Sequence, residues 1–301
     1  MDHDLIVIGQ GVAGLTCAAE AAGLGLRVAN FEGEFAGGLV ANVNELQRFD
    51  EAEGASGMDY SLLLLKSNIK AGVTHLPAQA SSIRAIEGGF AVESDEGALT
   101  ARAVVLATGA RLQKLGVPGE DEYEGRGVSH CADCDGPLFA GQVVVVAGGG
   151  DWALQDALLL ARESAHVHIV FDAAEPSACA ESRARAQAEP TIELHPGCTI
   201  ERVLGDANGM TGVRLRSGDG TTVELASAGL FALPGLEANS AIAPAAARRD
   251  AGGALCVDDV CETDVPGLWA IGQVRAGFAG WLSDAVADAR AVARAIKNRL
   301  G

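Results

Sequence analysis

Leu5-Ile6-Val7-Ile8-Gly9-Gln10-Gly11-Val12-Ala13-Gly14 carries more structural information than any other part of this chain. Its first four residues are a short, wholly apolar run of the kind a parallel sheet buries on both faces. The next six are GxGxxG, followed by an alanine-rich, helix-like segment from residue 15 to about residue 24. Residues 26–31 read as a second strand, which runs into Glu32 about 20 residues past the glycines. Strand, glycine turn, helix, strand and acid in this order predict a site for an adenine dinucleotide. The glycines let backbone approach a pyrophosphate, the helix N-terminus faces its charge, and the acid binds ribose hydroxyls. Gly9, Gly11, Ala13, Gly14 and Glu32 are the residues expected to touch it.

The pattern recurs. Val143-Val144-Val145-Val146 leads into Ala147-Gly148-Gly149-Gly150-Asp151-Trp152-Ala153, then a helix to about residue 162, then Val167-His168-Ile169-Val170-Phe171-Asp172. Gly148, Gly150, Trp152 and Asp172 mark this second nucleotide site. Val104-Val105-Leu106-Ala107-Thr108-Gly109 lies between the two patterns. Leu268-Trp269-Ala270-Ile271-Gly272 comes near the C-terminus, ahead of a helix over about 282–298. Strands of the first nucleotide fold thus stand at both ends of the chain, so the second fold is inserted in it. The predicted class is α/β, with two Rossmann-like dinucleotide-binding domains, each a three-layer ββα sandwich. The first is discontinuous over 1–114 and 235–301, and the second occupies 115–234. Residues 74–100 read as an antiparallel layer of short strands, with turns at Glu87-Gly88-Gly89 and Asp95-Glu96-Gly97.

With 301 residues, 49% of them apolar, the chain has material for two ordinary cores. A formal charge of −18 argues against nucleic acid or an anionic membrane as partner. No stretch approaches the roughly 20 apolar residues of a membrane span. The N-terminus enters a strand without a signal peptide, so a cytoplasmic address is expected. Of the seven cysteines only Cys131 and Cys134 are paired by spacing. Cys17, Cys179, Cys198, Cys256 and Cys261 read as buried or free thiols, and no structural disulfide is expected.

Cys131-Ala132-Asp133-Cys134-Asp135-Gly136 stands just ahead of the second glycine cluster. Two thiols at this spacing can close and reopen a disulfide, in which the thiolate is the nucleophile. A carboxylate one residue away can protonate the departing sulfur. Zinc would need two further ligands at motif spacing, and there is no second CxxC and no HxxxH. No metal site is therefore expected, and the adjacent His130 reads as a packing or hydrogen-bonding residue.

Taken together, these motifs resemble the low-molecular-weight thioredoxin reductases of the FAD/pyridine-nucleotide disulfide oxidoreductase superfamily, nearly end to end. The resemblance rests on the first glycine motif, Gly37-Gly38, Ala107-Thr108-Gly109-Ala110, Leu115-Gly116-Val117-Pro118-Gly119-Glu120 and Gly125-Arg126-Gly127-Val128-Ser129. The CxxCDG, Gly148-Gly149-Gly150 and Pro266-Gly267-Leu268-Trp269-Ala270-Ile271-Gly272 complete it. It implies FAD in the first domain, a redox disulfide on a second domain that rotates, and a homodimer. Gly38, Thr108, Gly109, Gly272 and Gln273 join the implied flavin contacts. Cys134 would be the flavin-side thiol, Cys131 the thiol that attacks a substrate disulfide, and Asp135 the acid/base.

The chain departs from that family where a pyridine nucleotide would bind. The family's His-Arg-Arg cluster for the 2′-phosphate is replaced by Phe171-Asp172-Ala173-Ala174. A phosphate dianion beside Asp172 is repelled, whereas ribose hydroxyls of NAD or of a flavin adenosine suit it. Arg183 and Arg185, further on, are the cations available to compensate. Trp152 takes a small residue's place, as a plug at the entrance, a platform for another ring system, or a structural indole. Gln273 stands where the family has an Asp on the ribityl chain, and Gln still hydrogen-bonds a hydroxyl. Trp281 replaces part of an Arg-Gln pair, and Arg48-Phe49-Asp50-Glu51 replaces Asn-Trp-Pro-Gly. The expected activity is FAD-dependent electron transfer through the Cys131–Cys134 disulfide to a thioredoxin-like protein or small thiol partner. NADPH input is expected to be lost or altered, with ferredoxin, a second flavin or NADH as donor. The alternatives are an FAD-dependent dithiol oxidase using oxygen, an ordinary NADPH thioredoxin reductase, and a flavin redox sensor without turnover.

Overall fold

Residues 1–46 and 48–301 are described by the computed structural model. The chain begins with β1 (His3–Ile8), α1 (Val12–Gly23), β2 (Val28–Phe31), α2 (Gly57–Ala71) and β3 (Thr74–Leu76). A meander of β4 (Ala80–Ile86), β5 (Gly89–Ser94) and β6 (Gly97–Leu106) follows, and then β7 (Ala110–Leu112). Alternate side chains of β1 feed two cores. Leu5 and Val7 pack with Ala13, Cys17, Ala18 and Ala21 of α1, while Ile6 and Ile8 pack with Ile83, Phe90 and Val92 of the meander. That division follows from the period of two along a strand, and it is why the run had to be apolar at every position.

The sheet order is β3-β2-β1-β6-β5-β4. β6 is long because it serves two layers. Its first half is antiparallel to β5 (Phe90↔Ala101) and its second half parallel to β1 (Ile6↔Val104). The antiparallel layer expected over residues 74–100 holds for β4, β5 and the first half of β6, but not for β3. β3 instead pairs parallel to β2 (Ala29↔Thr74) as the sheet's edge, because α2 makes a crossover that returns the chain beside β2. α2 is capped at its start by Ser56, whose hydroxyl accepts the Asp59 N–H at 3.0 Å, and at its end by Gly72 with φ +80°.

The middle of the chain repeats this plan. It runs β8 (Val128–Ser129), α3 (Ala132–Asp135), β9 (Val143–Ala147), α4 (Asp151–Leu160), β10 (His166–Phe171), α5 (Ala180–Ala188) and β11 (Ile192–Pro196). An antiparallel meander of β12 (Cys198–Asp206), β13 (Gly209–Ser217) and β14 (Thr222–Ala226) precedes β15 (Gly229–Ala232). The parallel sheet has the order β11-β10-β9-β15-β8. Val144 and Val146 pack with α4, and Val145 and Ala147 pack with β12 and β13. The chain then adds β16 (Leu236–Ala238), which pairs with β7, then β17 (Leu268–Ala270) on β6, and closes with α6 (Leu282–Leu300). Val292, Ala293 and Ile296 of α6 complete the core under α1.

Two units result, Met1–Arg111 with Glu237–Gly301, and Leu112–Leu236. The architecture is the α/β class with two Rossmann-like folds, as the glycine motifs predict. Each sheet reverses its strand order beside β1 or β9, so each has a ligand crevice at the carboxyl ends of those strands. Among the described residues, no helix is long and apolar enough to cross a membrane.

Candidate active site

The first crevice is an open cradle. Gly9 has φ +105°, and a Cβ there would stand 2.3 Å from the Ala107 carbonyl oxygen and 3.1 Å from the Thr108 Cα. A Cβ at Gly14 would stand 2.0 Å from the Gly9 oxygen, so this glycine lets α1 pack close to the turn. At Gly11 a Cβ would meet nothing within 4 Å. The start of α1 has no side-chain cap and no acid in its first turn, which leaves its N–H groups facing that opening.

The walls of this cradle come from three other segments. Glu32, just past β2, accepts the Gln10 N–H at 2.8 Å and the Glu34 N–H at 3.1 Å, which holds its carboxylate against the glycine turn. The Gly37 N–H donates to the Gln10 carbonyl at 2.7 Å, and a Cβ on Gly38 (φ +59°) would lie 3.6 Å from the Gly11 Cα. Gly272, at φ +68°, would bring a Cβ within 3.1 Å of the Ala13 Cβ. Its N–H donates to Asp288 at 3.2 Å, and Arg275 locks that carboxylate at 2.7 Å, with Gln273 next in the chain. Thr108 is present too, but its hydroxyl donates to the Asn239 carbonyl at 2.7 Å, and the Gly109 carbonyl accepts the Asn239 N–H at 3.0 Å. Those two residues shape the strand end and offer backbone. The donor set, the acid and the space left by Gly11 fit the pyrophosphate and ribose of FAD.

In the second unit Cys131 and Cys134 are joined as a disulfide at the start of α3, Cys131 half-buried and Cys134 exposed. The Cys134 N–H points at the Cys131 sulfur at 3.1 Å. Ser129 ties the turn to the neighbouring acid, since its hydroxyl donates to Asp135 at 2.7 Å and accepts the Cys131 N–H at 3.1 Å. His130 contacts the Ala232 carbonyl at 2.9 Å and Glu124 at 3.1 Å, the hydrogen-bonding role read for it.

One acid at this turn has no signal in the sequence. Asp156 of α4 accepts the Ala132 N–H, from inside the CxxC, at 3.3 Å. Burial pushes its carboxyl up to about 7, with the charge of Asp133 adding, against the bonds from Ala132 and Trp152. An aspartate in a helix ordinarily reads as a solvated position. Trp152 stands one turn earlier on α4 and is 37% exposed. The remaining cysteines are free, and burial pushes the thiols of Cys17 and Cys261 up to about 12 and about 11.

The second crevice repeats the glycine geometry with different surroundings. Gly148 has φ +145°, and a Cβ there would lie 2.1 Å from the Leu233 oxygen, as at Gly9. The Gly149 carbonyl, however, accepts the Ala178 N–H at 3.0 Å and the Ser177 hydroxyl at 3.2 Å. A Gly149 Cβ would stand 3.1 Å from the Phe171 Cβ and 3.5 Å from the Pro176 Cα, and a Gly150 Cβ 3.9 Å from the Ser177 Oγ. Asp151 sits in the first turn of α4 and accepts the Cys179 N–H at 3.0 Å and the Ser182 hydroxyl at 2.8 Å. Burial works against its charge, yet the bonds from Cys179 and Ser182 outweigh it and hold the carboxyl below its usual value. Asp172 is exposed at the end of β10, Arg183 is ion-paired with Glu175 at 3.0 Å, and Arg185 is exposed.

The family model described as pyridine nucleotide-disulphide oxidoreductase matches residues 3–294. A thioredoxin reductase of Treponema pallidum is 34% identical over 277 residues, which span 91% of this chain and 90% of that protein. The crystal structure of Lactococcus lactis thioredoxin reductase matches with a TM-score of 0.90 at 28% identity, covering 98% of both chains. That of T. acidophilum thioredoxin reductase matches with a TM-score of 0.88 at 27% identity, covering 99% of both. The chain belongs to the pyridine nucleotide-disulphide oxidoreductase family, and within it to the thioredoxin-reductase-like, FAD-dependent disulfide oxidoreductases.

Proposed function

We propose that this enzyme passes electrons from FAD through the Cys131–Cys134 disulfide to a thioredoxin-like protein or small disulfide, and that NADPH is not its donor. The observation that supports the exclusion of NADPH is the end of β10: the exposed Asp172 repels a 2′-phosphate, Arg183 is paired with Glu175, and Arg185 of α5 is the cation left to meet it. The helix starts differ as well. α1 opens without an acid, with free space at Gly11, whereas α4 opens on Asp151, with residues 177–179 bonded across its glycine turn, which weakens the hold on any dinucleotide pyrophosphate there. A reduced ferredoxin, a second flavin or NADH then takes the donor's place, and the working unit is a homodimer.

FAD in the first cradle, along Gly9, Gly11, Ala13, Gly14, Glu32, Gly38, Thr108, Gly109, Gly272 and Gln273, supplies a two-electron reservoir. Two electrons break the Cys131–Cys134 bond and leave two sulfurs that share the protons taken up. The Cys134 N–H at 3.1 Å favours a thiolate at Cys131. That thiolate attacks one sulfur of the partner's disulfide, forming a mixed disulfide and expelling the other sulfur as a thiolate. Cys134 then attacks the Cys131 sulfur, which restores the internal disulfide and releases the partner's second thiolate. Asp135, bonded to the redox turn through the Ser129 hydroxyl at 2.7 Å, holds and returns the proton in this proposal.

The test is anaerobic addition of NADPH, NADH or reduced ferredoxin to the FAD-loaded enzyme, following the flavin's visible band and counting new thiols. NADPH is expected to leave the band intact while reduced ferredoxin or NADH bleaches it and yields two thiols per chain. Rapid bleaching by stoichiometric NADPH would make this an ordinary NADPH thioredoxin reductase.

A further inference from the structure

Four side chains with no part in the disulfide chemistry converge on one face of the second unit's sheet. β10 carries His166 and His168, and its parallel neighbour β11 carries Glu193 and His195. The register sets His168 against Glu193 and Val170 against His195. Side chains alternate along a strand, so all four share the face of Val170, which packs in the core against β12 and β13. His168 and His195 are held by burial, with 10% and 20% of their side chains exposed, while His166 and Glu193 reach solvent at 33% and 55%.

The donor atoms stand at coordination spacing. His166 Nε2 lies 3.3 Å from Glu193 Oε2, and His168 Nδ1 lies 3.4 Å from the same oxygen. His195 Nε2 lies 3.0 Å from His168 Nδ1 and 3.7 Å from Glu193 Oε1. One donor atom from each of His166, His168 and Glu193 falls within 4.8 Å of the other two. Ligands bonded at about 2.0–2.1 Å around a tetrahedral ion stand roughly 3.3–3.4 Å apart, and the observed separations bracket that edge. Imidazoles with one carboxylate suit zinc and the later first-row metals, whereas calcium and magnesium ask for oxygen alone.

The geometry points to a divalent transition-metal site of zinc type, held by His166, His168 and Glu193, with His195 adjacent to His168. Such an ion ties β11 to β10. β11 is an edge strand, hydrogen-bonded within its sheet to β10 alone. Three protein ligands leave the fourth position to water, and the ion so held clips the β11 edge of the sheet to β10. The cysteine spacing that argues against zinc at Cys131 and Cys134 is silent about histidines spread over residues 166–195, because only strand pairing brings them together. The site lies toward the amino end of β10, away from the nucleotide crevice beyond Phe171.

The experiment uses the FAD-loaded enzyme with its disulfide oxidised and its accessible thiols alkylated, so that exposed sulfur ligands are removed. Zn2+ is titrated by calorimetry, and Co2+ serves as a spectroscopic probe of geometry. The expected result is one ion per chain, tetrahedral Co2+ bands, and a melting temperature that rises with Zn2+. His166→Ala and Glu193→Ala, both at solvent-reaching positions, should each weaken binding at least about tenfold. The double variant should lose the thermal shift while keeping flavin absorbance and disulfide turnover. Failure to take up one ion per chain, or uptake of equal affinity in the double variant, overturns the site and leaves a hydrogen-bonded histidine cluster. Should the double variant lose its flavin as well, His166→Gln and Glu193→Gln are measured instead, by the same criterion.

Discussion

Asp156 shows how far one residue's chemistry departs from its sequence context. Its neighbours along α4 give no hint of a role, yet it lies under the redox turn with a carboxyl pushed up to about 7 from an ordinary 3.8. Below about pH 4 folded and unfolded chains both hold this proton. Between about 4 and 7 only the folded chain holds it, so its linked stability falls as pH rises through that window and levels off above it. Asp156→Asn cannot ionise, and should gain on the wild type by up to about 4 kcal/mol between pH 4 and 7.5. Urea midpoints of the oxidised enzyme across that range check this; a pH-independent difference would refute the buried acid. Cys131, Cys134 and Asp135 were legible because they are contiguous. Ser129 and Asp156 were not, because a turn and a helix bring them there.

The decisive elements are the two glycine turns with their helices. They share a sequence pattern and differ in what faces the middle glycine. Gly11→Ala places a methyl in open space at a φ of −71°, so the apoprotein should fold normally and bind FAD at least about tenfold more weakly. Gly14→Ala drives a methyl to 2.0 Å from the Gly9 oxygen and should cost about 1–3 kcal/mol or more in the apoprotein itself. Paired FAD titrations and thermal melts distinguish the two, and wild-type FAD affinity in Gly11→Ala would remove pyrophosphate from that opening. Strand, turn and helix were readable from period and glycine spacing. The placing of β3 was not, since a three-residue strand carries no pattern of its own and its partner is set by the α2 crossover.

At the scale of the molecule, the first unit is closed by the chain's far end. Ala285, Ala289, Val292, Ala293 and Ile296 of α6 share a core with Leu5 and Val7 of β1. Deleting residues 282–301 should uncover that core and abolish FAD retention, while the second unit, continuous in sequence, keeps its own cooperative melt. FAD retained at one per chain in the truncated protein would count against the shared core. By itself the sequence determined the α/β class, the two Rossmann-like folds and the flavin-dependent disulfide oxidoreductase family. Each of these is written in local period, spacing or order, which survives without coordinates. Only the tertiary structure decided that residues 177–179 bond across the second glycine turn, that Asp156 lies under the disulfide, and that His166, His168, Glu193 and His195 meet on β10 and β11. Those features join residues through strand register and helix packing, and the energies that fix them act across space and leave no periodic trace along the chain.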